Sequence, residues 1–493
     1  MKGSSDLLIR GGMVVAHDGR GHRLIRDGFV RVRDALIVDV GRGSGGAAAR
    51  VIDARDGLVI PGLIDAHCHL TDTPYTRGFL EDGGSRGLGM SGLYEYLPAV
   101  RRAIGPEDEL AAVRFGLLEL LKSGVTTVVE LGYNTEVPSG GNLEVAEEIV
   151  TILGGAGIRA YVGARYKSGH FYAGDDGQVA YEWYSDAGRS RFEECVAFAS
   201  RLRGRYEGRI QPMLAPAQVD TCTPDLLEAT ATAAETLGIP VQIHAGQSAA
   251  EFRAVLARCG MTPIEFLQQV GLLGPRLIIG HGMFLSCHRA IQHTPDRDLD
   301  LIAAAGASVA HCPVVFARRG ILLDSFARYL ERGINMCLGT DTFPLDMLHE
   351  MRVAAFAGKI AASDPFLATA AEVFEAATLR GAKALGRADL GRIAPGCRAD
   401  LAIVTLRSPR TAPARDPIKA LVYSAGAGDV ETVLVDGRLV VDGGRVLGID
   451  EALATEEVQR AAEGVWARTQ GLDRLAPLSF AAWEGDAAGS SAP

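Results

Sequence analysis

Eight short apolar runs, each followed by a helical stretch, punctuate the chain from Ile64 to about Gly386 and limit its possible folds more than any other feature. They read LIDAHCHL, GVTTVVELG, IRAYVGAR, IQPMLAPAQ, IPVQIHAG, LIIGHG, SVAHCP and INMCLGTD. Brief runs of this kind, alternating with helical stretches, are the pattern of parallel strands joined by crossover helices. The connecting segment TPDLLEATATAAETLG is typical, with Thr223 as N-cap, Pro224 in the first turn and Gly238 as stop. Eight such units predict an α/β chain with a (β/α)8 TIM barrel over residues 61–386. An open doubly wound sheet is the alternative.

Outside that block the texture changes. From Leu7 to about Ile60, DLLIRGG, MVVAHDG, FVRVRDALIVDVG and LVIPG are β runs parted by glycine and aspartate turns. After Leu390 the pattern returns in CRADLAIVTL, ALVYSAGAG, VETVLVDGRLVVDGG and RVLGID. Residues 1–60 and 387–450 are therefore expected to build one composite β module, with 451–493 left as a C-terminal helix and tail. A net charge of −10 argues against a chain that grips phosphate backbones, so no nucleic acid partner is expected. The eight cysteines lack CxxC spacing, which predicts neither a zinc ribbon nor a disulfide framework and fits a reducing cytoplasm. No signal-peptide core and no apolar run long enough for a membrane helix is present, so no membrane partner is expected.

The chemistry gathers at the ends of the apolar runs. His67 and His69 flank Cys68, and residues two apart on a strand point to one side, so both imidazoles should face the lumen while Cys68 faces away. His244, His281 and His311, with Asp341, also fall at C-terminal strand ends, the barrel face on which catalytic groups sit. Each histidine alone reads as a satisfied core residue; five together at one rim read as a site. Imidazoles with one carboxylate suit a divalent transition metal that keeps open positions for water. Such an ion would lower the pKa of its water and supply hydroxide near neutral pH. Asp341 is placed to accept the water's proton and pass it to the leaving group, and His281 to orient the hydroxide or polarise the substrate.

The phrase DGLVIPGLIDAHCHL, the later His244, His281, HCP and GTD elements, and the closing GRIAPGCRADLAIV resemble the amidohydrolase superfamily. Within it the similarity is to the chlorohydrolase and deaminase branch that acts on triazines, guanine and related N-heterocycles. It runs from about residue 7 to 450. The resemblance implies a distorted (β/α)8 barrel with a small β-sandwich built from both termini. It also implies that His67, His69, His244 and Asp341 are metal ligands and that His281 is the catalytic neighbour of the bound water. One divalent ion, zinc above iron, cobalt or manganese, is the expected cofactor, because APAQVD offers no lysine to bridge a second ion. Lys167 is the nearest candidate for that role. A homodimer or higher homo-oligomer is expected from the same resemblance.

Two departures from the branch bear on substrate. Its deaminases carry HxxE after the fifth strand, where the glutamate shuttles a proton to a ring nitrogen; here the step is HAGQ, with Gln247. An amide donates and accepts hydrogen bonds but does not trade protons near neutral pH. The expected activity is therefore cleavage of a C–N, C–S or C–halogen bond at an sp2 carbon of a small molecule such as a carbamate, urea, amide or activated heterocycle. Deamination of a purine, pterin or s-triazine is the alternative, and a non-catalytic binding protein of the same fold is a third reading. The second departure follows His311, where Val314, Val315 and Phe316 make the wall apolar and Arg318 and Arg319 offer charge to an anionic substrate group. Gln247, His281, His311, Phe316, Tyr166 and His170 are the expected substrate contacts. Phe171 and Tyr172, with Tyr75, Phe79, Tyr94 and Tyr96 from a glycine-rich insertion that reads as a lid, are further candidates for the mouth.

Overall fold

A computed structural model of the chain describes residues 6–77, 90, 92–132, 143–174 and 178–469; Phe79 and the tail beyond Thr469 lie outside them. The chain opens with β1 (Asp6–His17), β2 (His22–Arg33), β3 (Leu36–Arg42), β4 (Arg50–Asp53) and β5 (Gly57–Pro61). Next come β6 (Leu63–Cys68), β7 (Val125–Glu130), β8 (Arg159–Val162), β9 (Arg165–Tyr166), β10 (Gly169–Ala173), β11 (Val179–Trp183), β12 (Ile210–Pro212) and β13 (Ala215–Pro216). The remaining strands are β14 (Val241–Ala245), β15 (Leu277–His281), β16 (Ser308–His311), β17 (Asn335–Leu338), β18 (Leu401–Thr405), β19 (Val430–Val435), β20 (Arg438–Asp442) and β21 (Arg445–Val446). Helices follow β6, β7, β11, β13, β14, β15, β16 and β17, giving an α/β protein with mixed sheets.

Parallel pairing joins β6, β7, β8 and β12 into one sheet and β14, β15, β16 and β17 into another. Backbone bridges cross both gaps between them. Leu214 pairs with Val241, and Cys68 pairs with Asp341 just beyond β17. An open sheet would leave its two edge strands apart; here the first and last runs share the bonds Asp341 N–H to His67 O at 2.8 Å and His69 N–H to Asp341 O at 3.0 Å. One apolar cluster takes Ile64 and Ala66 from β6, Val129 from β7, Tyr161 from β8, Ile278 from β15, Ala310 from β16 and Cys337 from β17. Side chains from six strands meet in this way only if the strands curve about a shared centre. Burial of each larger aliphatic side chain contributes about 1.5–3 kcal/mol to holding it.

The early and late strands form a single nine-stranded sheet in the order β21-β20-β19-β18-β5-β1-β2-β3, with β4 beside β1. The two ends of the chain meet where β5 runs antiparallel to β18. Leu7, Ile9, Val30 and Val32 pack there with Leu401, Ile403 and Leu434. Arg159 of β8 ties this sheet to the middle set. Its side chain is wholly buried and bonds Asp400 at 2.9 Å and Asp436 at 2.6 Å.

Some expectations meet a different outcome. Thr223, Pro224 and Gly238 bound the helix Pro224–Leu237, but the Thr223 side chain makes no capping bond because its hydroxyl lies 3.0 Å from Ser168 Oγ. Tyr75 does not reach the mouth: it packs with Val100, Ala112 and Ala462 under the C-terminal helix Glu451–Arg468, and its carbonyl accepts from Trp466 Nε1 at 2.9 Å. Among the described residues no helix is long and apolar enough to cross a membrane.

Candidate active site

Each of His67, His69 and His244 has one ring nitrogen fixed by a neighbour. Gln242 donates through Nε2 to Ala66 O at 2.8 Å, so its Oε1 is the acceptor for His67 Nδ1 at 2.9 Å. His69 Nδ1 lies 3.2 Å from Leu131 O, and His244 Nδ1 bonds Ala217 O. Carbonyl oxygens only accept, so all three rings carry a proton on Nδ1, and a neutral ring then presents a bare Nε2 lone pair. Burial pushes the His69 and His244 imidazoles well below their usual pKa, which keeps both neutral.

Those lone pairs converge. His69 Nε2 and His244 Nε2 stand 3.0 Å apart, and Asp341 Oδ1 is 3.4 Å from Nε2 of both His67 and His69. His67 Nε2 is buried and has no hydrogen-bond partner among the described residues. Two lone pairs at that separation, with no proton between them, repel unless a cation sits beside them. Ligand atoms of His67, His69, His244 and Asp341 all lie within 4.8 Å of one another, and the three imidazoles and single carboxylate are the donors a divalent transition metal takes. Burial opposes ionisation of Asp341, but the close approach of His67 and the surrounding imidazoles hold its carboxyl well below the usual range.

His281 sits against the cluster on a backbone with φ of +76°, its ring 4.8 Å from His67 and 5.2 Å from Phe316. Neither of its ring nitrogens has a hydrogen-bond partner among the described residues, and burial pushes its pKa down to about 3. A second group, His67, His281 and Cys312, also gathers within 4.8 Å. Lys167 is buried in the field of Asp220 and belongs to neither group.

The cavity over the cluster is lined by His69, His244, Asp341, Gln247 and Phe316, with Tyr96, Arg318 and Arg319 at its walls. Of the expected contacts, His281 lies against the cluster without lining this cavity, and three others lie elsewhere. Tyr166 turns into the helix layer, with its hydroxyl 2.9 Å from Thr230 Oγ1 and its ring against Phe192, because the chain leaves the β8 register before β9 and the side-chain alternation restarts. His170 belongs to the β10–β11 hairpin, 3.5 Å from the Glu182 carboxylate. His311 is buried beside Phe326 and does not line the cavity. Tyr94 likewise bonds Ser248 and packs on Phe171.

Five residues that the sequence reading passed over hold the cluster in place. Gln242 fixes the His67 tautomer, as above. Asp65 accepts from the backbone N–H of His67 at 3.2 Å and of Thr340 at 3.0 Å, so one carboxylate clamps both neighbours of the Asp341 turn. Glu130 accepts from Leu70 N–H at 2.9 Å, next to His69. Gly280 and Gly339 leave room: a Cβ would stand 2.9 Å from the His67 ring at one and 2.6 Å from His67 Cβ at the other. Gly280→Ala should therefore displace the imidazole and weaken zinc binding by about 10–100-fold, read by competition with a chromogenic chelator. Unchanged affinity would mean that the ring is not a ligand.

The pattern that defines the amidohydrolase family matches residues 58–440. The chain belongs to the amidohydrolase family. It is a hydrolase acting on carbon–nitrogen bonds. This amidohydrolase is 33% identical over 433 residues to a 5-methylthioadenosine/S-adenosylhomocysteine deaminase of Natronomonas pharaonis, covering 87% of the chain and 92% of the relative. It is 29% identical over 469 residues to a 5'-deoxyadenosine deaminase of Methanosarcina mazei, covering 94% and 99%. Among solved structures, a zinc-bound adenosine deaminase of Xanthomonas campestris superposes with a TM-score of 0.78 at 27% identity, covering 94% of this amidohydrolase and 99% of that chain. A zinc complex of atrazine chlorohydrolase from Arthrobacter aurescens shares the fold, with a TM-score of 0.78 at 24% identity over 92% and 100% of the two chains. These likenesses favour deamination over the other cleavages expected from Gln247.

Proposed function

We propose that this amidohydrolase is a zinc-dependent deaminase of an adenine nucleoside, releasing ammonia from the purine ring. The observation that carries the reading is the full-length similarity to deaminases of 5'-modified adenosines, on a chain that keeps three Nε2 lone pairs and a carboxylate converged. His67, His69, His244 and Asp341 would hold the ion. Zinc in such a set acts as a Lewis acid and lowers the pKa of water. Asp341 takes up the proton of the attacking water and delivers it to the leaving amino group. His281, whose two ring nitrogens have no hydrogen-bond partner among the described residues, orients the attacking oxygen. Gln247 stands at the cavity wall, where its amide N–H can hydrogen-bond the ring nitrogen beside the attacked carbon. We infer further that the closed circuit of strands is a distorted (β/α)8 barrel over 61–386, beside a β-sandwich from 1–60 and 387–450.

Gln247 favours a second reading, hydrolysis of a carbamate, urea, amide or halogenated heterocycle, because those substrates need less ring protonation. Ammonia release from adenosine, 5'-deoxyadenosine, 5'-methylthioadenosine, guanine and aminated triazines by the zinc-loaded enzyme separates the two. Turnover of an adenine nucleoside with stoichiometric ammonia is expected; inertness of the whole panel with hydrolysis of a carbamate or urea would give the second reading its place. Gln247→Glu should change kcat on the best nucleoside by less than about tenfold, since the site already works without a proton shuttle there.

A further inference from the structure

Arg318 and Arg319 are adjacent cations on the wall of the cavity, in the turn that follows Phe316. Neither has a carboxylate within ion-pair distance among the described residues, although burial presses both guanidinium pKa values down, that of Arg318 to about 10. The cavity's other arginines are answered. Arg101 pairs with the buried Asp72, and Arg165 lies in the field of Glu130. Asp341 is the one carboxylate on the cavity wall among the described residues, and it belongs to the metal cluster.

The two free cations differ in what they have left to give. Arg318 stacks on Phe343 at 3.8 Å, donates to Phe343 O and reaches Thr342 Oγ1 at 2.6 Å, so it braces the turn after Asp341. Arg319 donates through Nη1 to Val315 O, and its Nε and Nη2 have no partner among the described residues. Nε and Nη2 form the side-on fork that an oxyanion takes through two parallel hydrogen bonds. Bringing two like charges together out of water is costly unless an opposite charge joins them.

We infer that the substrate carries an oxyanion, a carboxylate or a phosphate, and that Arg319 is the residue that selects it. The inference rests on the reading that this cavity is the substrate site and narrows the substrate to an anionic one. Neutral purine nucleosides are then still turned over, with a higher KM than a relative that bears the oxyanion.

Two measurements on the zinc-loaded enzyme test it. Phenylglyoxal labels accessible guanidinium groups, and peptide mass spectrometry locates the label. Malonate or inorganic phosphate should slow labelling of Arg319 at least about fivefold while neutral malonamide does not, since only the anions form the paired bonds. The anion effective at the lower concentration tells carboxylate from phosphate. Equal protection by malonamide, or none by either anion, overturns the inference. In the second, R319M should raise KM for S-adenosylhomocysteine, which bears a carboxylate, by about 10–100-fold and leave neutral 5'-methylthioadenosine within about threefold. Parallel loss on both compounds assigns Arg319 a structural role and refutes selection. If neither nucleoside is turned over, the deaminase reading fails, and the labelling result still decides the oxyanion.

Discussion

Asp341→Asn and His67→Ala are each expected to lower kcat by about 10⁴-fold or more while leaving the far-ultraviolet circular dichroism and thermal midpoint close to those of the parent. Asparagine nearly matches the shape of Asp341 but cannot hold the water's proton, and it removes the one carboxylate that faces three neutral imidazoles. Alanine at 67 removes an Nε2 that has no hydrogen-bond partner among the described residues and leaves Gln242 Oε1 without its bond to Nδ1, a loss confined to one core position. Zinc content separates the two variants. His67→Ala should bind the ion at least about tenfold more weakly, whereas Asp341→Asn should keep most of it and still be inactive. Activity in either variant, or in enzyme dialysed free of metal, would remove the basis for the proposed chemistry.

Arg159→Met should destabilise the folded chain by about 3–5 kcal/mol, because it strands the buried Asp400 carboxylate and leaves Asp436 only Arg398 and, at 4.0 Å, Arg209. Asp400 and Asp436 are 3% and 5% exposed, and Arg159 is their shared cation from across the boundary between β8 and the nine-stranded sheet. Arg398 reaches Asp436 at 3.3 Å but comes from the solvent side and is partly exposed. Denaturant titration should show the loss as an earlier transition, and the triple replacement R159M/D400N/D436N should recover much of it, since no buried carboxylate is then left without Arg159, while Arg209 and Arg398 keep Glu207 and Asp389. A single variant as stable as the parent would mean that water reaches the two carboxylates.

The middle of the fold was legible because buried parallel strands concentrate branched apolar residues into short runs, and all eight runs hold strands. The converging residues were legible for a related reason. His67, His244, His281 and Asp341 stand at or just beyond the ends of β6, β14, β15 and β17, so a shared rim could be read from position alone. What escaped was direction and support. Tyr166 and His170 lie past the point where the chain leaves β8, and a period of two says nothing across such a break. The supporting residues did leave a trace: Asp65 precedes His67 by two, Gln242 precedes His244 by two and Gly339 precedes Asp341 by two. Two residues back along a strand is the same face. A polar or missing side chain there is the second layer of the site, and it can be sought in any strand that ends in a ligand. Asp220 escaped for another reason. It bonds Tyr181 at 2.7 Å inside the core, a pairing between distant segments that no local pattern encodes.

The bridge between Cys68 and Asp341 has a bearing on how the protein is made. The strand that carries two of the histidines leaves the ribosome some 270 residues before its hydrogen-bonded neighbour. Until that neighbour emerges the nascent chain owns imidazoles without their carboxylate and cannot close on an ion. On the proposed ligand set, metal capture becomes a late event in biosynthesis, and a chain cut short before Asp341 should neither retain zinc nor escape proteolysis.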